Sequence, residues 1–476
     1  MRQILTALIC LLSLPALGGT VEFRAGAHAE PITPERLPSP VNGSMRGAFA
    51  DSVNDPMYAR SLALHDGRGE LIICVVDSCM IPREVCDEVR RIVSSEIGVA
   101  PARLIISATH THSAATMTPV FQSDPDPEYL ATLPTRIARS MIKAHQNLEP
   151  AEIGWGKGSD PSHLFNRRWL MKEGQTYANP FGETTDRALM NPGFRNPRVS
   201  HPVGPIDSEI TVIAVRAVTD RRPLAMLANY SLHYVGGNPA ISADYFGAFA
   251  GYLEGLVKTA EVSVGRPPFV GIMSNGTSGD VNNVNYAEPE PVGRRPGEQL
   301  QTVARSLAVE VHRIYQNLVF RKRLELRSVE KDITLGVRKA TPQELEAARK
   351  LLERTPRDKD GKYRELTAIY AREALLLDKY PDRVPVRLQA HRIGDLGIAT
   401  IPGEVFTSIG LDLKRESPFA GHFTISLANG YNGYLPTPEQ HRLGGYETWR
   451  ARSSYLEVEA STRITVELRR MLRAIR

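Results

Sequence analysis

Two histidines, His110 and His112, are the first residues in the chain whose types and spacing indicate chemistry. They follow residues 104–106, an apolar run with β-branched side chains that is typical of a buried strand ending in a loop. On an extended backbone, the imidazoles of residues i and i+2 point to the same side. Such a pair can supply one metal ligand and one group that titrates near neutrality. The alternative is two histidines in an ordinary polar loop.

Three further polar segments are predicted to follow strand ends. His233 comes after the apolar residues 224–228, although a lone histidine at such a position is more often structural. The strand predicted over residues 269–273 opens into residues 274–283, which are rich in Gly and Asn and let the backbone approach a ligand. Glu404 follows another strand and is predicted to open a helix, where a carboxylate can simply complement the helix dipole.

A last predicted strand, residues 423–427, leads into a loop rich in tyrosine, with Tyr446 further downstream. Histidine, carboxylate and tyrosine side chains at several strand ends form the mixed nitrogen and oxygen shell that a catalytic zinc ion prefers, with a position left open for water. Zinc lowers the pKa of that water to ~7 and polarises a carbonyl oxygen, as hydrolysis of a stable amide or ester requires. These residues alone do not fix a reaction.

The elements that must position these residues indicate an α/β fold of mixed β-sheets flanked by helices, with the site at the strand ends. A strand at residues 71–77, a helix at 82–97 and a strand at 104–107 form one unit whose two strands should be parallel. Asp77 and His110 should then lie at the same end of a sheet, where ligand sites of open α/β sheets collect. We therefore also consider Asp77 as a partner for one of the histidines.

Three other segments carry predictions about the fold. Residues 157–205 are irregular and long enough to indicate a functional loop rather than a linker. Two strands are predicted between the helix at residues 297–317 and residue 342. The segment at about 341–379 is predicted to form a helical hairpin whose charged surfaces indicate exposure to solvent.

Composition and the N-terminal residues limit the classes of protein to which the chain can belong. The 476 residues are 42% hydrophobic and 23% charged, as in an ordinary folded protein, and the net charge of +5 includes no concentrated basic block that would indicate a nucleic-acid partner. Residues 1–19 combine a charged start, a short apolar run and small residues, which indicates a signal peptide, with a membrane anchor as the alternative. We therefore expect export to the periplasm or the extracellular space, and one domain over residues 20–476.

The remaining cysteines exclude two classes of protein. Cys74, Cys79 and Cys86 are crowded together and have no partners elsewhere, so the chain is not a disulfide scaffold. No CxxC pair is present, which argues against a zinc ion bound by cysteine.

The order of these motifs resembles a known family. The motifs are residues 110–113, 166–167, His233, residues 278–280, 402–404, 429–434 and 446–447. From about residue 23 to about residue 461, they are similar to the catalytic domain of the neutral, non-lysosomal ceramidases. The resemblance implies a secreted zinc amidase that cleaves the N-acyl bond of ceramide.

Carried over by position, the resemblance implies four zinc ligands, which are His110, His233, Glu404 and Tyr434. His112, Arg167 and Tyr446 match the groups that line the reacting carbonyl. In the implied mechanism a zinc-bound water attacks this carbonyl and His112 moves a proton toward the leaving nitrogen. Tyr446 and Arg167 stabilise the oxyanion.

The chain departs from the family pattern at three places. The family's serine falls on Asn282, whose amide cannot accept an acyl group, so water must attack directly and Asn282 can at most donate a hydrogen bond to a substrate oxygen. Residues 114–115 are Ala-Ala where the family has Gly-Pro, so we expect a different pocket wall. The chain ends soon after the tyrosine motifs, and we expect no C-terminal immunoglobulin-like domain.

The sequence thus predicts a secreted zinc-dependent amidohydrolase acting on ceramide, a related N-acylated lipid or another small N-acyl compound. Peripheral contact with a membrane fits such a substrate, no nucleic acid is expected as a partner, and the oligomeric state stays open. Two alternatives remain. One is a catalytically silent binding protein that keeps the fold, which the replacement at Asn282 favours. The other is a zinc esterase that uses the same site.

Overall fold

The computed structural model of the chain describes residues 22–236, 239–257, 266–293 and 295–476. The signal peptide predicted at residues 1–19 lies outside these residues. The helices are α1 Arg83–Ile97, α2 Pro127–Gln146, α3 Asp244–Val257, α4 Glu298–Gln316, α5 Pro342–Arg354, α6 Leu366–Leu377, α7 Thr407–Arg415, α8 Pro438–Leu443 and α9 Ala460–Ala474.

The strands alternate with these helices along most of the chain. Those of the first half are β1 Arg24–Pro31, β2 Ser39–Val41, β3 Ala48–Ala50, β4 Tyr58–His65, β5 Glu70–Val76, β6 Leu104–Ala108, β7 Glu149–Ser159, β8 Phe165–Asn166, β9 Arg168–Met171, β10 Ala188–Met190, β11 Val199–Pro202, β12 Glu209–Ala217 and β13 Pro223–Tyr230. The second half contains β14 Val270–Asn275, β15 Val281–Asn282, β16 Leu326–Gly336, β17 Arg383–Ile393, β18 Leu396–Thr400, β19 Glu404–Val405, β20 Gly421–Ile425 and β21 Tyr434–Leu435.

Two mixed sheets form the centre of the fold. The larger has eight strands in the order β14-β13-β12-β7-β1-β4-β5-β6, and the smaller has four in the order β16-β17-β18-β20. The pairs β5–β6, β13–β14 and β18–β20 are parallel, and the other pairs in these two sheets are antiparallel. Helices flank both sheets. The α/β class with mixed sheets is therefore confirmed, as is the parallel pairing of β5 with β6.

Alternation of apolar side chains along the strands explains how the layers stack. All residues of β5 are buried: Ile72 and Cys74 face α1 and α2, whereas Ile73 and Val75 face the four-stranded sheet. Helices α3 and α4 cover the other half of the large sheet, and α7 and α9 cover the outer face of the small one. The result is a helix–sheet–sheet–helix sandwich with its central core between the two sheets.

Coiling of the large sheet onto itself explains how distant strands reach one site. Strands β6 and β14 are the two edges of the large sheet and run in opposite directions within it. The sheet folds over on itself so that β14 contacts β4, β5 and β6, which brings the segments after β6 and β14 together. The Asn275 amide at the end of β14 donates to the Thr109 carbonyl after β6 at 3.1 Å. The small sheet joins at the same place, where Ala108 N–H donates to the Leu427 carbonyl at 3.1 Å.

Helix ends follow the signals in the sequence. Asp126 caps α2 by accepting from two backbone N–H groups, with Pro127 as the first helical residue. Gly98, in a left-handed conformation, ends α1. In the described part of the chain, no helix combines the length and apolar character needed to cross a bilayer.

Three predictions about these elements were wrong. A single long strand, β16, replaces the two strands predicted before residue 342, since its residues pair with β17 along the whole length of both strands. Glu404 lies in the short strand β19, and the helix after it begins only at Thr407. The loop at residues 157–205 contains four short strands, β8 to β11.

Helices α5 and α6 lie in the segment predicted to form a helical hairpin, but they differ in their exposure to solvent. Helix α5 is largely exposed, whereas α6 buries Ile369 and Tyr370 against the core beside α1 and α2. Glu373 on α6 is fully buried and pairs with Arg452 at 2.7 Å. The charged residues of α6 were misread as a solvated face because their ionic partners are remote in sequence.

Candidate metal and catalytic site

His110 lies at the start of the loop that follows β6. Its N–H donates to the Ser78 carbonyl at 2.8 Å, which ties it to the loop after β5. Its φ of 79° lies in the left-handed region, a conformation that a residue without glycine's freedom keeps only when the surrounding structure imposes it. Nδ1 of the ring lies 2.7 Å from the Cys79 carbonyl. The other ring nitrogen, Nε2, is thereby directed toward His233.

His233 follows β13 and is held in the same way. Its Nδ1 lies 2.9 Å from the Ser278 carbonyl, and its Nε2 lies 3.1 Å from Nε2 of His110. A carbonyl oxygen can only accept, so in both rings Nδ1 carries the hydrogen and donates it. A histidine that binds a metal with one nitrogen almost always donates the other to such an acceptor.

Glu404 completes a cluster of three buried groups. The Tyr431 hydroxyl donates to its Oε1 at 2.8 Å. Its Oε2 lies 3.2 Å from Nε2 of His110 and 3.9 Å from Nε2 of His233, and it has no hydrogen-bond partner within the described ranges. A buried carboxylate oxygen left in this state is costly unless something else binds it.

Nε2 of His110, Nε2 of His233 and Oε2 of Glu404 are spaced as the ligands of one divalent cation would be. Ligand atoms about 2.0–2.2 Å from one tetrahedral zinc ion stand about 3.3–3.6 Å apart, close to the separations between these atoms. Cys79, His110 and His112 form a second group of suitable type. That group fits less well because burial raises the pKa of the Cys79 thiol, and its sulfur faces the His110 nitrogen that already donates to a carbonyl.

Tyr434 and Tyr446 lie beside this cluster. Tyr434 pairs with Glu404 across β19 and β21, and its hydroxyl accepts from Nη2 of Arg167 at 3.0 Å. The Tyr446 ring lies 5.6 Å from the Tyr434 ring, centroid to centroid. With His110, His112 and Glu404, both tyrosines line one cavity of about 30 Å³, enough for about two water molecules. The role of Tyr434 as a fourth metal ligand stays a prediction.

His112 faces the same space from the other side. Its Nε2 lies 3.3 Å from Nε2 of His110, and its ring stacks on Tyr234 with the centroids 3.6 Å apart. The backbone of Gly43 forms a hydrogen bond with it. A Cβ at Gly43 would lie 2.4 Å from the His112 ring, and the φ of 99° also favours glycine there.

Arg167 approaches the site from behind Tyr434. Nη2 donates to the Tyr434 hydroxyl and to the Gly279 carbonyl, and Nε donates to Oε1 of Glu447 at 3.0 Å. Glu447 is fully buried and also pairs with Arg168. The guanidinium group of Arg167 is thus held in a buried position against the Tyr434 hydroxyl.

The pKa values of the cluster follow from burial and from charged neighbours. Burial, followed by Arg167 and His110, holds the pKa of His233 well below its usual value, and burial with His110 and Arg167 does the same for His112. Burial also opposes charge on His110, but Cys79 and Glu404 outweigh it and raise this pKa. Burial would raise the pKa of Glu404, yet His110 lowers it. Without a cation, these shifts favour a protonated His110 beside a charged Glu404, and a metal ion would compete for the position of that proton.

The Asn282 amide is hydrogen-bonded within the fold at both its nitrogen and its oxygen. Its Nδ2 donates to Asn191 at 2.9 Å, and its Oδ1 accepts from the Val284 N–H at 2.9 Å. It is not among the residues that line the cavity. A hydrogen bond from Asn282 to substrate stays a prediction, and these existing bonds weigh against it.

The suggested role of Asp77 was wrong. Asp77 is at the predicted end of the sheet, but its Oδ2 accepts from Arg60 at 2.6 Å and from the Tyr58 N–H at 2.8 Å. The partners of the two histidines are instead the backbone carbonyls of Cys79 and Ser278. Backbone acceptors carry no side-chain signal, so the sequence could not identify them.

Four contributing side chains were missed. Tyr431 and Glu447 lie inside motifs of the resemblance, Arg168 follows such a motif, and Tyr234 follows His233. The signal for each was its position beside a residue already singled out. The partners of these side chains could not be found without the fold. Glu447 and its partner Arg167, for example, are 280 positions apart.

In fold, the chain is similar to solved ceramidases. The crystal structure of neutral ceramidase from Pseudomonas aeruginosa matches it with a TM-score of 0.70 and 17% identity, covering 95% of this chain and 74% of that one. A ceramidase complexed with C2 matches with a TM-score of 0.69 and 16% identity, covering 95% of this chain and 76% of the other. At this level of identity, the matches show that the chain has the fold of these ceramidases.

The family follows from the sequence itself. The family model described as neutral/alkaline non-lysosomal ceramidase, N-terminal, matches residues 49–295, just over half of the chain. The chain belongs to this family. The resemblance inferred from the motifs is therefore confirmed.

Proposed function

We propose that the protein is an exported zinc-dependent amidohydrolase that cleaves the N-acyl amide bond of ceramide or a related N-acylated lipid. Membership of the ceramidase family supports hydrolysis of an amide. The observation that carries the proposal is Oε2 of Glu404, which is buried without a hydrogen-bond partner in the described chain and faces Nε2 of both His110 and His233. Export depends on residues 1–19, which have the pattern of a signal peptide.

His110, His233, Glu404 and Tyr434 would hold the zinc ion in this proposal. When bound, zinc lowers the pKa of a coordinated water and polarises the substrate carbonyl. The carbonyls of Cys79 and Ser278 fix the two imidazoles with Nε2 inward, and the Tyr431 hydroxyl fixes the carboxylate. Nitrogen and oxygen ligands with an open position are typical of catalytic zinc.

His112 would be the general base and then the general acid. Stacking on Tyr234 and the hydrogen bond with the Gly43 backbone orient its ring, so Nε2 faces the cavity. His112 takes a proton from water as the water oxygen bonds to the carbonyl carbon. It returns that proton to the nitrogen as the C–N bond breaks, which leaves a fatty acid and an amine.

Tyr446 and Arg167 would stabilise the oxyanion formed in between. Tyr446 lines the cavity, and burial, followed by the nearby Glu404, raises the pKa of its phenol, so it remains a hydrogen-bond donor at neutral pH. Arg167 is buried, and Nη1 is not engaged by another residue in the described part of the chain, whereas its Nε and Nη2 are. Donors fixed before the reaction stabilise developing charge most effectively.

Metal analysis and turnover test the proposal together. We expect the purified protein to contain zinc and to release fatty acid from a labelled N-acyl sphingosine, and we expect Glu404→Gln to lose both. Tyr446→Phe should keep the zinc and lose turnover by about 10²–10³-fold, the usual effect of one oxyanion donor. Thr462→Ala, on the exposed start of α9, is the control and should change neither.

The same assay separates the alternatives. Bound zinc without turnover of any N-acyl substrate would identify a silent binding protein. Faster turnover of a matched ester than of the amide, beyond their intrinsic difference in reactivity, would identify an esterase. Absence of zinc from protein that is folded and active would contradict the metal site itself.

A further inference from the structure

Glu447 is the most completely buried carboxylate beside the site, and the mechanism above does not use it. It has no exposed surface, and both of its oxygens are engaged. Oε1 accepts from Nε of Arg167 at 3.0 Å, and Oε2 accepts from Nη1 of Arg168 at 2.6 Å. One buried carboxylate thus neutralises part of the charge of two buried guanidinium groups.

The two arginines that share Glu447 have different remaining partners. Arg168 donates to the side chain of Gln440 at 3.0 Å and to the Gly444 carbonyl at 2.7 Å, so it is bound to the chain around α8. Arg167 donates instead to the Tyr434 hydroxyl and to the Gly279 carbonyl. Glu447 therefore connects a fixed part of the scaffold to a side chain that reaches the site.

Glu447 is also the chain neighbour of Tyr446. Both belong to the short 3-10 helix Tyr446–Thr448, and the Glu447 carbonyl accepts from Ser454 Oγ at 2.8 Å. Two groups proposed to stabilise the oxyanion, Tyr446 and Arg167, are thus held by one residue, one through the backbone and the other through the carboxylate. Their relative position depends on where this carboxylate lies.

We propose that Glu447 is a positioning residue that sets the geometry of Arg167 against Tyr434 and Tyr446. It touches neither substrate nor metal ion and acts through the Arg167 guanidinium. The inference depends on the proposed hydrolase function. Displacement of a catalytic group by about 1 Å can cost on the order of 100-fold in rate, so a carboxylate that fixes an oxyanion donor should act on kcat.

Two variants of Glu447 separate the effect of its charge from the effect of its side-chain length. Glu447→Gln keeps the length of the side chain and removes its charge, whereas Glu447→Asp keeps the charge and shortens the side chain. We expect both to lower kcat for the N-acyl substrate by on the order of 100-fold, with KM changed less than about threefold, since the donor acts on the transition state. If Glu447→Gln does not fold, the kcat of Glu447→Asp alone tests the proposal.

Glu373 provides a matched control for the loss of a buried ion pair. It is equally buried, lies between Arg452 at 2.7 Å and Arg372 at 3.3 Å, and does not contact Arg167, Tyr434 or Tyr446. Glu373→Gln should lower the unfolding temperature as Glu447→Gln does, yet keep kcat per folded molecule. A loss of stability alone in both variants would show that Glu447 is only structural and would overturn the proposal.

A crystal structure of the Glu447→Asp protein gives a readout that does not require turnover. We expect the Arg167 guanidinium to move away from the Tyr434 hydroxyl, which it contacts at 3.0 Å in the wild type. An unmoved contact would overturn the positioning role. If the wild type shows no turnover, the hydrolase proposal fails on that result, and the crystal structure still decides whether Glu447 positions Arg167.

Discussion

At the scale of single residues, the site depends on side chains that orient other side chains. Tyr431 is an example, since its hydroxyl holds Oε1 of Glu404 and leaves Oε2 facing the histidines. Groups that orient a metal ligand in this way commonly change metal affinity by about 10–100-fold when they are lost. Two predictions belong to this scale.

Tyr431→Phe should weaken zinc binding. Removal of the hydroxyl leaves Glu404 free to rotate, so we expect the Kd for zinc, measured by competition with a chelator, to rise by about 10–100-fold. Tyr455→Phe is the control, because the hydroxyl of Tyr455 accepts from Asn432 and lies outside the cavity. Equal zinc affinity in wild type and Tyr431→Phe would contradict this role.

Asn282→Ala should affect stability more than turnover. Both ends of the Asn282 amide are used within the fold, by Asn191 and by the Val284 N–H. We expect the free energy of unfolding to fall by about 1–2 kcal/mol, as for lost hydrogen bonds, while kcat stays within about fivefold of the wild type. A fall in kcat near 100-fold with unchanged stability would instead support the predicted hydrogen bond from Asn282 to substrate.

At the scale of elements, the small sheet contains a buried group that titrates. His391 on β17 lies 2.8 Å from Ser328 Oγ and 3.2 Å from Gln389 Oε1. Burial, followed by Arg103 and Arg90, lowers its pKa from 6.5 to about 3. As the pH falls, His391 therefore takes up a proton in the unfolded chain at a higher pH than in the folded protein.

This shift predicts how stability depends on pH. The contribution of neutral His391 is fully present above pH ~6.5 and is lost as the pH falls toward the folded value, by up to about 1.4 kcal/mol per pH unit. Chemical unfolding at pH 7.5 and 5.5 should therefore show a larger decrease in the free energy of unfolding for the wild type than for His391→Gln. His201→Gln, at an exposed position, should lose as much free energy of unfolding between these pH values as the wild type. Equal losses in all three proteins would exclude the effect.

At the scale of the whole molecule, the cluster joins parts of the chain that are far apart. His110 follows β6, His233 follows β13, and Glu404 and Tyr434 belong to β19 and β21. A cation bound by groups from these separate parts of the chain stabilises the folded state in proportion to the logarithm of its concentration over its Kd. The prediction of one domain over residues 20–476 remains untested and would be supported by a single unfolding transition.

Removal of metal should therefore lower the stability of the entire protein. We expect treatment with a chelator to lower the unfolding temperature and stoichiometric zinc to restore it, with a stabilisation of about 4 kcal/mol when free zinc is 1,000 times its Kd. Glu404→Gln should unfold at the same temperature with or without the chelator. A wild-type unfolding temperature that is insensitive to the chelator would contradict metal binding by this cluster.

The local part of this fold could be predicted from the sequence. The apolar residues of β5, the caps of α2 and the parallel β5–β6 unit follow from alternation, from Asp126 with Pro127, and from the crossover rule. The family follows from the order of short motifs. These features depend on residues that are close together in the chain, and neighbouring residues are what patterns and propensities describe.

Only the tertiary structure decided which of these residues meet. His110 and His233 follow strands that run in opposite directions in one sheet, and coiling of that sheet onto itself brings their ends together. The burial of α6 and the ion pairs of Asp77 with Arg60 and of Glu447 with Arg167 likewise depend on partners that are remote in sequence. Burial and ion pairing are properties of the packed chain, so residue type and spacing alone cannot assign them.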